Sequence, residues 1–433
     1  MVRLRQALDR LGHRLGFIPL VAIAAAVVAA QMMLAVDARL DDSDLPRVLE
    51  TTVGSGRAIL TAIAGGLISS VTLLLSLTLV AVQLASSQFS PRTLRNWTGD
   101  RTQQYAIGIV LGTTVFCLLV LRETKDFETG DALTPHLSVI VAVVFGILSL
   151  MAVVRSVDHL TDRLRIGSVA ASLMDETVTL IRSDAAAGAE DPALTPASRP
   201  TEPEHEFERP PDAVPILAPK AGWVQWIDAD RIVVAVPEHT TVYVTISVGS
   251  FAMPDAPIAW MWPVGEEDCR QRVLGAFAFG DTRTMQQDIG FGIMQMVDIA
   301  LRALSPGVND PNTANDLVVH LGAVLLSLWE RPDAGNVYRK DGRTLLRSDL
   351  THADHLEAAI DPIRRHGVGD PSVAATLVRT LESLRAETVR RSLPGPIAPI
   401  DAAIQRVLEG VDRADLSAYD KQRVHALVAD HSR

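Results

Sequence analysis

The sequence predicts a membrane α-helical domain of four transmembrane helices joined to an α+β soluble region, in which a small β domain precedes a helical domain. Strongly apolar runs are concentrated near the N-terminus, and later segments change from an alternating pattern to amphipathic helical patterns. The chain is 48% hydrophobic and 21% charged. That mixture indicates one very apolar part and one polar part.

Four apolar runs are long enough to cross a bilayer, which takes roughly 20 apolar residues, with about 17 as the lower limit. The runs cover residues 17–36, 58–86, 105–121 and 137–154, and the third is near that limit. The first run is too long for the apolar core of a typical signal peptide and lacks a convincing cleavage site. We therefore predict a four-helix transmembrane domain over residues 1–155, surrounded by the lipid bilayer.

Basic residues beside the helix ends predict the orientation, because loops rich in Lys and Arg remain in the cytoplasm. The ends predicted to be cytoplasmic carry Arg3, Arg5, Arg10, Arg14, Arg92, Arg95, Arg101, Arg155, Arg163 and Arg165. The other two loops are acidic on balance and carry only Arg39, Arg47, Arg57, Arg122 and Lys125. Both termini, and with them the soluble region, are predicted to be cytoplasmic.

The second membrane helix carries a stripe of small and hydroxylated residues. At about 100° per residue, one face holds Gly65, Gly66, Ser69, Thr72, Ser76, Gln83 and Ser87. Such a stripe is typical of close helix packing, which is the more common case. It is also typical of the wall of a water-filled path. In that second case we expect Ser69, Thr72, Ser76 and Gln83 to line the path.

The soluble region divides by the period of its apolar residues. Residues 156–182 predict a helix extending from the membrane, and residues 183–213 predict a flexible linker that can bury too little apolar surface to fold. A period of two predicts the small β domain over residues 214–264, and residues 265–433 predict a mainly helical cytoplasmic domain. The predicted strands include Gly222–Asp228, Arg231–Val236 and Thr241–Val248.

A polar turn interrupts the helical domain. A predicted helix over Thr284–Leu304 leads into the turn Ser305–Pro311, with the sequence SPGVNDP. In this turn Asn309 or Asp310 can cap the next helix, which is predicted to continue to Trp329. These residue types therefore have a structural role available to them.

Three segments resemble one family. They are Gln88–Arg92 (QFSPR), Arg283–Asp288 and Ala303–Ala314, which contains SPGVNDP followed by Asn-Thr-Ala. Together they resemble an uncharacterised bacterial family of predicted membrane proteins with a domain of unknown function. The resemblance runs along most of the chain in the same order. It implies a bacterial inner-membrane protein, and it implies no activity.

Two groups of polar residues in the soluble region are candidate ligand sites. The larger group comprises Arg283, Gln287, Asp288, Asn309, Asp310 and Thr313. It can hold an ion or a partner, or it can form a structural network of caps and hydrogen bonds. The smaller group is His352 and His355, spaced to share one helix face. No third ligand is evident and exposed histidines on polar helices are common, so we predict no metal site.

Several function classes receive no support from the sequence. A net charge of −11 argues against a nucleic-acid partner, which requires a basic surface. Two cysteines provide no disulfide framework and no zinc site. We find no phosphate-binding glycine loop, nucleophile elbow or HExxH motif, and we predict no cofactor.

Three hypotheses of function follow. The first is a channel-like or transport-related homo-oligomer with a cytoplasmic regulatory region. The second is a membrane-anchored sensor or scaffold that binds a ligand or partner at the SPGVNDP turn. The third, an enzyme, ranks last because no nucleophile–base pair can be nominated.

Overall fold

The computed structural model describes residues 16–39, 52–88, 101–124, 135–163, 166–190, 209–263, 267–331 and 337–429. The chain divides into two compact units, Met1–Ser168 and Val169–Arg433. Most of the QFSPR segment, the first fifteen residues and residues 191–208 of the predicted linker lie outside the described residues.

In its described residues, the first unit contains four helices that are long and apolar enough to cross a membrane. They are α1 (Phe17–Asp37), α2 (Val53–Gln88), α3 (Arg101–Glu123) and α4 (His136–Arg163). Their mean hydropathy lies between 2.0 and 2.9. The predicted transmembrane helices are therefore confirmed.

Helix α3 is the central helix of this unit. It packs against α1, α2 and α4, and 61% of its most apolar stretch is buried, compared with 17–28% for the other three helices. The approach to α1 is close because α3 presents Gly108 and Gly112 to that helix. A Cβ atom on Gly112 would lie 3.2 Å from the Ala22 carbonyl oxygen, and one on Gly108 would lie 3.2 Å from the Ala22 Cβ.

Polar contacts join α2, α3 and α4. Near one end of α3, Gln103 donates to the Thr78 hydroxyl of α2 at 2.6 Å and accepts from the Ser156 hydroxyl of α4. Farther along, the hydroxyls of Ser149 and Thr113 are 2.9 Å apart. Each bond removes an unsatisfied polar group from an apolar interior, where such a group is costly.

At the other end of α4, Asp37 of α1 serves as its helix cap. The Asp37 carboxylate accepts hydrogen bonds from the backbone N–H groups of Leu137 and Ser138 and from the Ser138 hydroxyl. These N–H groups belong to the first turn of α4, where no intrahelical acceptor exists. A side chain of one membrane helix thus satisfies the start of another.

The second unit mixes helices and strands. Its first helix is α5 (Ile166–Glu190), which begins just before the boundary between the units. The strands are β1 (Val214–Leu217), β2 (Gly222–Ile227), β3 (Thr241–Val244), β4 (Phe251–Ala252), β5 (Pro257–Trp262), β6 (Phe277–Gly280), β7 (Val337–Lys340) and β8 (Arg343–Arg347). The helices after α5 are α6 (Ala229–Ala235), α7 (Glu267–Leu274), α8 (Ile289–Ala303), α9 (Pro311–Trp329), α10 (His352–Gly367), α11 (Pro371–Arg390), α12 (Ile397–Arg413) and α13 (Ala418–Ala429).

The strands form two sheets. The larger sheet has the order β1-β5-β3-β8-β7, and its only parallel pair among the described strands is β3 with β8. The smaller sheet has the order β4-β2-β6 and is antiparallel. Together they enclose an apolar core that includes Val224, Ile258 and Met261.

The prediction of a strand at Arg231–Val236 was wrong. The segment forms α6, which Asp228 caps by accepting from the Arg231 backbone N–H at 3.0 Å. Its β-branched residues suggested a strand, but Ile232 and Val233 are buried in the β core from a helix. Packing and an N-cap therefore outweigh a local β propensity, as is common for short segments.

The β structure extends beyond the predicted range 214–264. Strand β6 completes the smaller sheet, and β7 and β8 complete the larger one. The β3–β8 pair joins residues about a hundred positions apart, for example Val242 and Leu345. Such a distant partner cannot be identified from a local pattern of apolar residues.

Two predicted helix boundaries also differ. Helix α5 continues to Glu190, beyond the predicted end at residue 182. Helix α8 begins at Ile289 and not at Thr284, because Asp288 caps it. The helices α8–α13 then pack around a core that includes the fully buried Trp329, and the Pro394–Pro396 break separates α11 from α12.

Candidate functional site

The polar stripe of α2 faces away from the rest of its own chain. Ser69, Thr72, Ser76 and Gln83 are all exposed. The opposite face of α2 is the packed one and includes Leu60, Leu67 and Leu74, which are at most 3% exposed. The stripe is therefore not used for packing within the protomer in the part of the chain that the structure describes.

The glycines of the stripe confirm this geometry. A Cβ atom added to Gly65 or to Gly66 would meet no other atom within 4 Å. A glycine in a membrane helix usually marks a close approach between helices. Here the space beside it is open, which is the reverse of the situation at Gly108 and Gly112.

The other helices of the membrane unit also expose large apolar side chains. Helix α1 exposes residues such as Leu20 and Met32, and helix α4 exposes Ile147, Leu150 and Met151, each at least 55% exposed. Large apolar side chains are the expected surface toward lipid tails. The α2 stripe adds small and hydroxylated residues to an exposed face that also carries Leu73 and Val80, which are 56% and 50% exposed.

The hydroxyls of the stripe are already hydrogen-bonded to their own helix. Ser69 donates to the Gly65 carbonyl, Thr72 to the Ile68 carbonyl and Ser76 to the Thr72 carbonyl, at 2.8–3.2 Å. This back-bonding satisfies each donor without a partner helix. Each hydroxyl oxygen can still accept a hydrogen bond, so the stripe can contact water, a solute or a neighbouring helix.

In the soluble unit, Arg283 and Asp288 form a buried ion pair. The guanidinium nitrogens donate to both carboxylate oxygens at 2.8 and 2.9 Å, and the two side chains are only 17% and 4% exposed. Asp288 also accepts from the Phe291 backbone N–H. Burial raises the pKa of the Asp288 carboxyl, and the positive charge of Arg283 opposes that rise.

Several residues pack closely around the Arg283–Asp288 ion pair. Gly249 has φ of +85°, and a Cβ atom there would overlap with the Asp288 carboxylate and the Arg283 guanidinium. Arg283 also lies 5.8 Å from the ring centre of Trp223 and 5.3 Å from that of Phe291. The Gln287 side chain accepts a hydrogen bond from the Ile227 backbone N–H and donates one to the Ile227 carbonyl. The three predicted site residues Arg283, Gln287 and Asp288 thus fasten α8 to the β region.

The SPGVNDP turn is a separate feature and serves as a helix cap. Asp310 caps α9 by accepting from the Thr313 backbone N–H and hydroxyl, at 3.2 and 2.6 Å. The bond from the Thr313 hydroxyl lowers the pKa of Asp310 below its usual value. Asn309 has φ of +49° and donates its backbone N–H to Ser305. Within the described part of the chain, the hydrogen bonds of the turn do not reach Arg283 or Asp288, so the expected single group of six residues is two groups.

His352 and His355 are buried and not exposed as expected. They are 3% and 8% exposed, and their Nδ1 atoms lie 3.1 Å from the Pro394 carbonyl and 2.8 Å from the Thr351 carbonyl. Thr351 and Asp354 form a reciprocal capping box at the start of α10. Both histidines therefore have backbone partners in the fold.

Two features escaped the sequence analysis. The Gly108-x-x-x-Gly112 spacing of α3 is a recognisable signal of close helix packing and was overlooked. The second feature is a cavity of about 480 Å³ in the soluble unit, to which α9, α11 and α13 contribute. Its lining residues come from distant parts of the chain, so no local motif identifies it.

The four long apolar helices and the mixed unit after them define an integral membrane protein with a large soluble region. The chain belongs to the family described as predicted membrane protein (DUF2254), whose model matches residues 12–383. This match confirms the family resemblance read from the sequence.

The chain is similar in sequence to mycobacterial proteins. "Uncharacterized protein Rv1290c" of Mycobacterium tuberculosis and "Uncharacterized protein Mb1321c" of Mycobacterium bovis are each 32% identical to the chain over 382 residues. The matched region covers 85% of this chain and 71% of each relative. No solved structure matches the chain.

Proposed function

We propose that this protein is a channel-like or transport-related membrane protein that assembles as a homo-oligomer through α2. In this assembly the stripes of neighbouring protomers face a shared polar path. Ser69, Thr72, Ser76 and Gln83 line that path, and the soluble unit regulates it. The protein lies in the bacterial inner membrane, with both termini and the soluble unit in the cytoplasm.

The observation that carries this proposal is the exposure of the stripe. If the small and hydroxylated residues served only to pack α2 within its own chain, they would lie on the face that contacts α3 and α4. They lie on the opposite, exposed face of α2. The exposed faces of α1 and α4 carry Leu, Ile and Met. A polar path between protomers gives these residues a role that neither lipid nor the protomer provides.

The absence of charged residues within the apolar runs favours a passive path. Asp, Glu, Lys and Arg are missing from residues 17–36, 58–86, 105–121 and 137–154. Proton-coupled pumps and voltage sensors usually depend on such residues inside the membrane. We therefore expect conduction that is controlled by the soluble unit and not by charges within the spans.

Conductance of the purified protein in planar bilayers tests the proposal. Openings of the wild-type protein should be reproducible, and the variant Ser76→Trp with Gln83→Leu should abolish them. The matched control is Leu150→Trp on the exposed surface of α4, which should conduct as the wild type does. Silence of a folded, oligomeric wild-type protein would contradict the proposal, and so would equal conductance of the stripe variant.

A further inference from the structure

The cavity at α9, α11 and α13 has the size and the chemistry of a ligand site. Its volume of about 480 Å³ lies within the range of roughly 300–1,000 Å³ that is usual for small-molecule sites. The lining is polar for the most part and includes Asn315, Asp370, Arg379, Asp420 and Arg423. A second cavity of about 420 Å³ lies next to it and shares Thr376 and Arg379.

Two arginines of this cavity have no partner within the described part of the chain. Arg379 of α11 and Arg423 of α13 take part in no ion pair or hydrogen bond there. Other arginines of this helical region are paired, such as Arg385 of α11 with Asp401 and Arg413 of α12 with Glu409. Two free guanidinium groups at one cavity are suited to a phosphate group, whose oxygens match their planar donors.

The lining also presents acceptors, among them an unsatisfied amide oxygen. The Asn315 side-chain Nδ2 donates to the Ser372 hydroxyl at 3.1 Å. The Oδ1 atom of the same side chain is buried and has no partner. A buried amide end without a hydrogen bond is costly and rare. A hydroxyl group can satisfy it, because a hydroxyl both donates and accepts.

The two carboxylates of the cavity are only partly engaged. One oxygen of Asp370 caps α11, accepting from the Ser372 and Val373 backbone N–H groups. One oxygen of Asp420 accepts from the Ser417 hydroxyl at 2.6 Å. The remaining carboxylate oxygens are acceptors that repel a bare anion and favour a ligand with hydroxyl donors.

From these observations we propose that the α9–α11–α13 cavity binds a hydroxylated phosphate ester, the chemical class of sugar phosphates. Arg379 and Arg423 hold the phosphate, while Asn315, Asp370 and Asp420 bond the hydroxyls. The site is independent of the proposed conduction path, since it lies wholly within the soluble unit. Through this site the soluble unit can detect a phosphate ester that is either free in solution or part of a lipid headgroup.

Calorimetric titration of the full-length protein in phosphatidylcholine nanodiscs tests this site. The probes are ribose 5-phosphate and its two halves, inorganic phosphate and ribose. Ribose 5-phosphate should bind saturably and about tenfold or more tighter than either half, because only the complete ester reaches both sets of groups. The variant Arg379→Gln with Arg423→Gln should weaken that binding about tenfold or more.

Matched variants separate binding from folding. Arg413→Gln removes an exposed arginine outside the cavity and should bind ribose 5-phosphate as the wild type does. Asp420→Asn should strengthen the binding of inorganic phosphate, because a repelling charge is removed. If phosphatidylinositol in the nanodisc competes with ribose 5-phosphate, the natural source is a lipid headgroup; without competition it is a soluble phosphate ester.

Three results would overturn the site. The first is the absence of saturable binding, which would leave the Asn315 amide to water alone. The second is equal affinity for ribose 5-phosphate and inorganic phosphate, which would remove the role of the hydroxyls. The third is binding by the double arginine variant with wild-type affinity.

Discussion

Two pairs of glycines in the membrane unit have opposite surroundings. Gly108 and Gly112 of α3 are buried against α1, so that a Cβ atom on either would lie 3.2 Å from an atom of Ala22. Gly65 and Gly66 of α2 face open space. In sequence both pairs look like helix-packing residues. The comparison teaches that small residues in a membrane helix can be used within the protomer or left available for a partner outside it.

The soluble unit shows the same distinction among polar residues. The conspicuous residues of the SPGVNDP turn and of the Arg283 group bond to their own chain. Groups without a partner in the part of the chain that the structure describes include Arg379 and Arg423, which belong to no recognisable motif. The residues that form recognisable motifs are therefore not the residues whose side chains remain available for a ligand.

The largest effect is expected for Asp288→Ala, because it tests whether the Arg283 group is structural. The variant leaves Arg283 buried without its counter-charge and removes the cap of α8. We expect a loss of about 3–5 kcal/mol in the free energy of unfolding. Denaturant unfolding followed by tryptophan fluorescence reports it, and Asp316→Ala at an exposed position of α9 serves as a control. A loss below about 1 kcal/mol would contradict a structural role.

Gly112→Leu tests the buried glycine pair. Its side chain must displace the Ala22 backbone of α1, so we expect the membrane unit to lose about 1–3 kcal/mol of stability. Thermal unfolding in detergent measures the loss. Gly112→Ala should lose less, and wild-type stability of Gly112→Leu would show that α1 and α3 are not closely packed.

Asp310→Ala tests the SPGVNDP turn as a cap. We expect a loss of about 1 kcal/mol, since one N-cap is removed, and Asp310→Ser should restore most of it. The pKa of Asp310 is lowered in the folded protein, so its contribution is present above about pH 4 and is lost as the pH falls through the lowered pKa. Unchanged stability combined with lost conductance would favour a ligand site at the turn.

Gly66→Leu should have the smallest effect on the protomer. Its side chain enters open space, so we expect the stability of the protomer to change by no more than about 0.5 kcal/mol. The same variant should reduce the oligomer, which light scattering after size-exclusion chromatography detects. A destabilised protomer would show that the α2 stripe is covered by its own chain.

The fold was predictable to the extent that local physics determines it. A bilayer requires long apolar helices, so the four spans were evident from hydropathy. The strands β7 and β8 were not evident, because β8 pairs with β3 across a long stretch of chain. The run at Arg231–Val236 misled because its composition favours a strand while its cap and its packing favour a helix.

The candidate sites were predictable only in part. The α2 stripe followed from helical geometry, but its exposed orientation required the packing of α3 and α4. Residues such as Asn315, Arg379 and Arg423 come together through the packing of three helices, which no spacing along the chain reveals.

Disulfide cross-linking in native membranes tests the central claim, that the α2 stripe faces another copy of the chain. Each variant adds one cysteine: Ser69→Cys and Ser76→Cys in the stripe, and Leu150→Cys on α4 as the control. The native Cys117 and Cys269 are both buried. We predict rapid formation of covalent dimers at positions 69 and 76 and little at position 150. Equal cross-linking at all three positions, or none at the stripe, would contradict the claim.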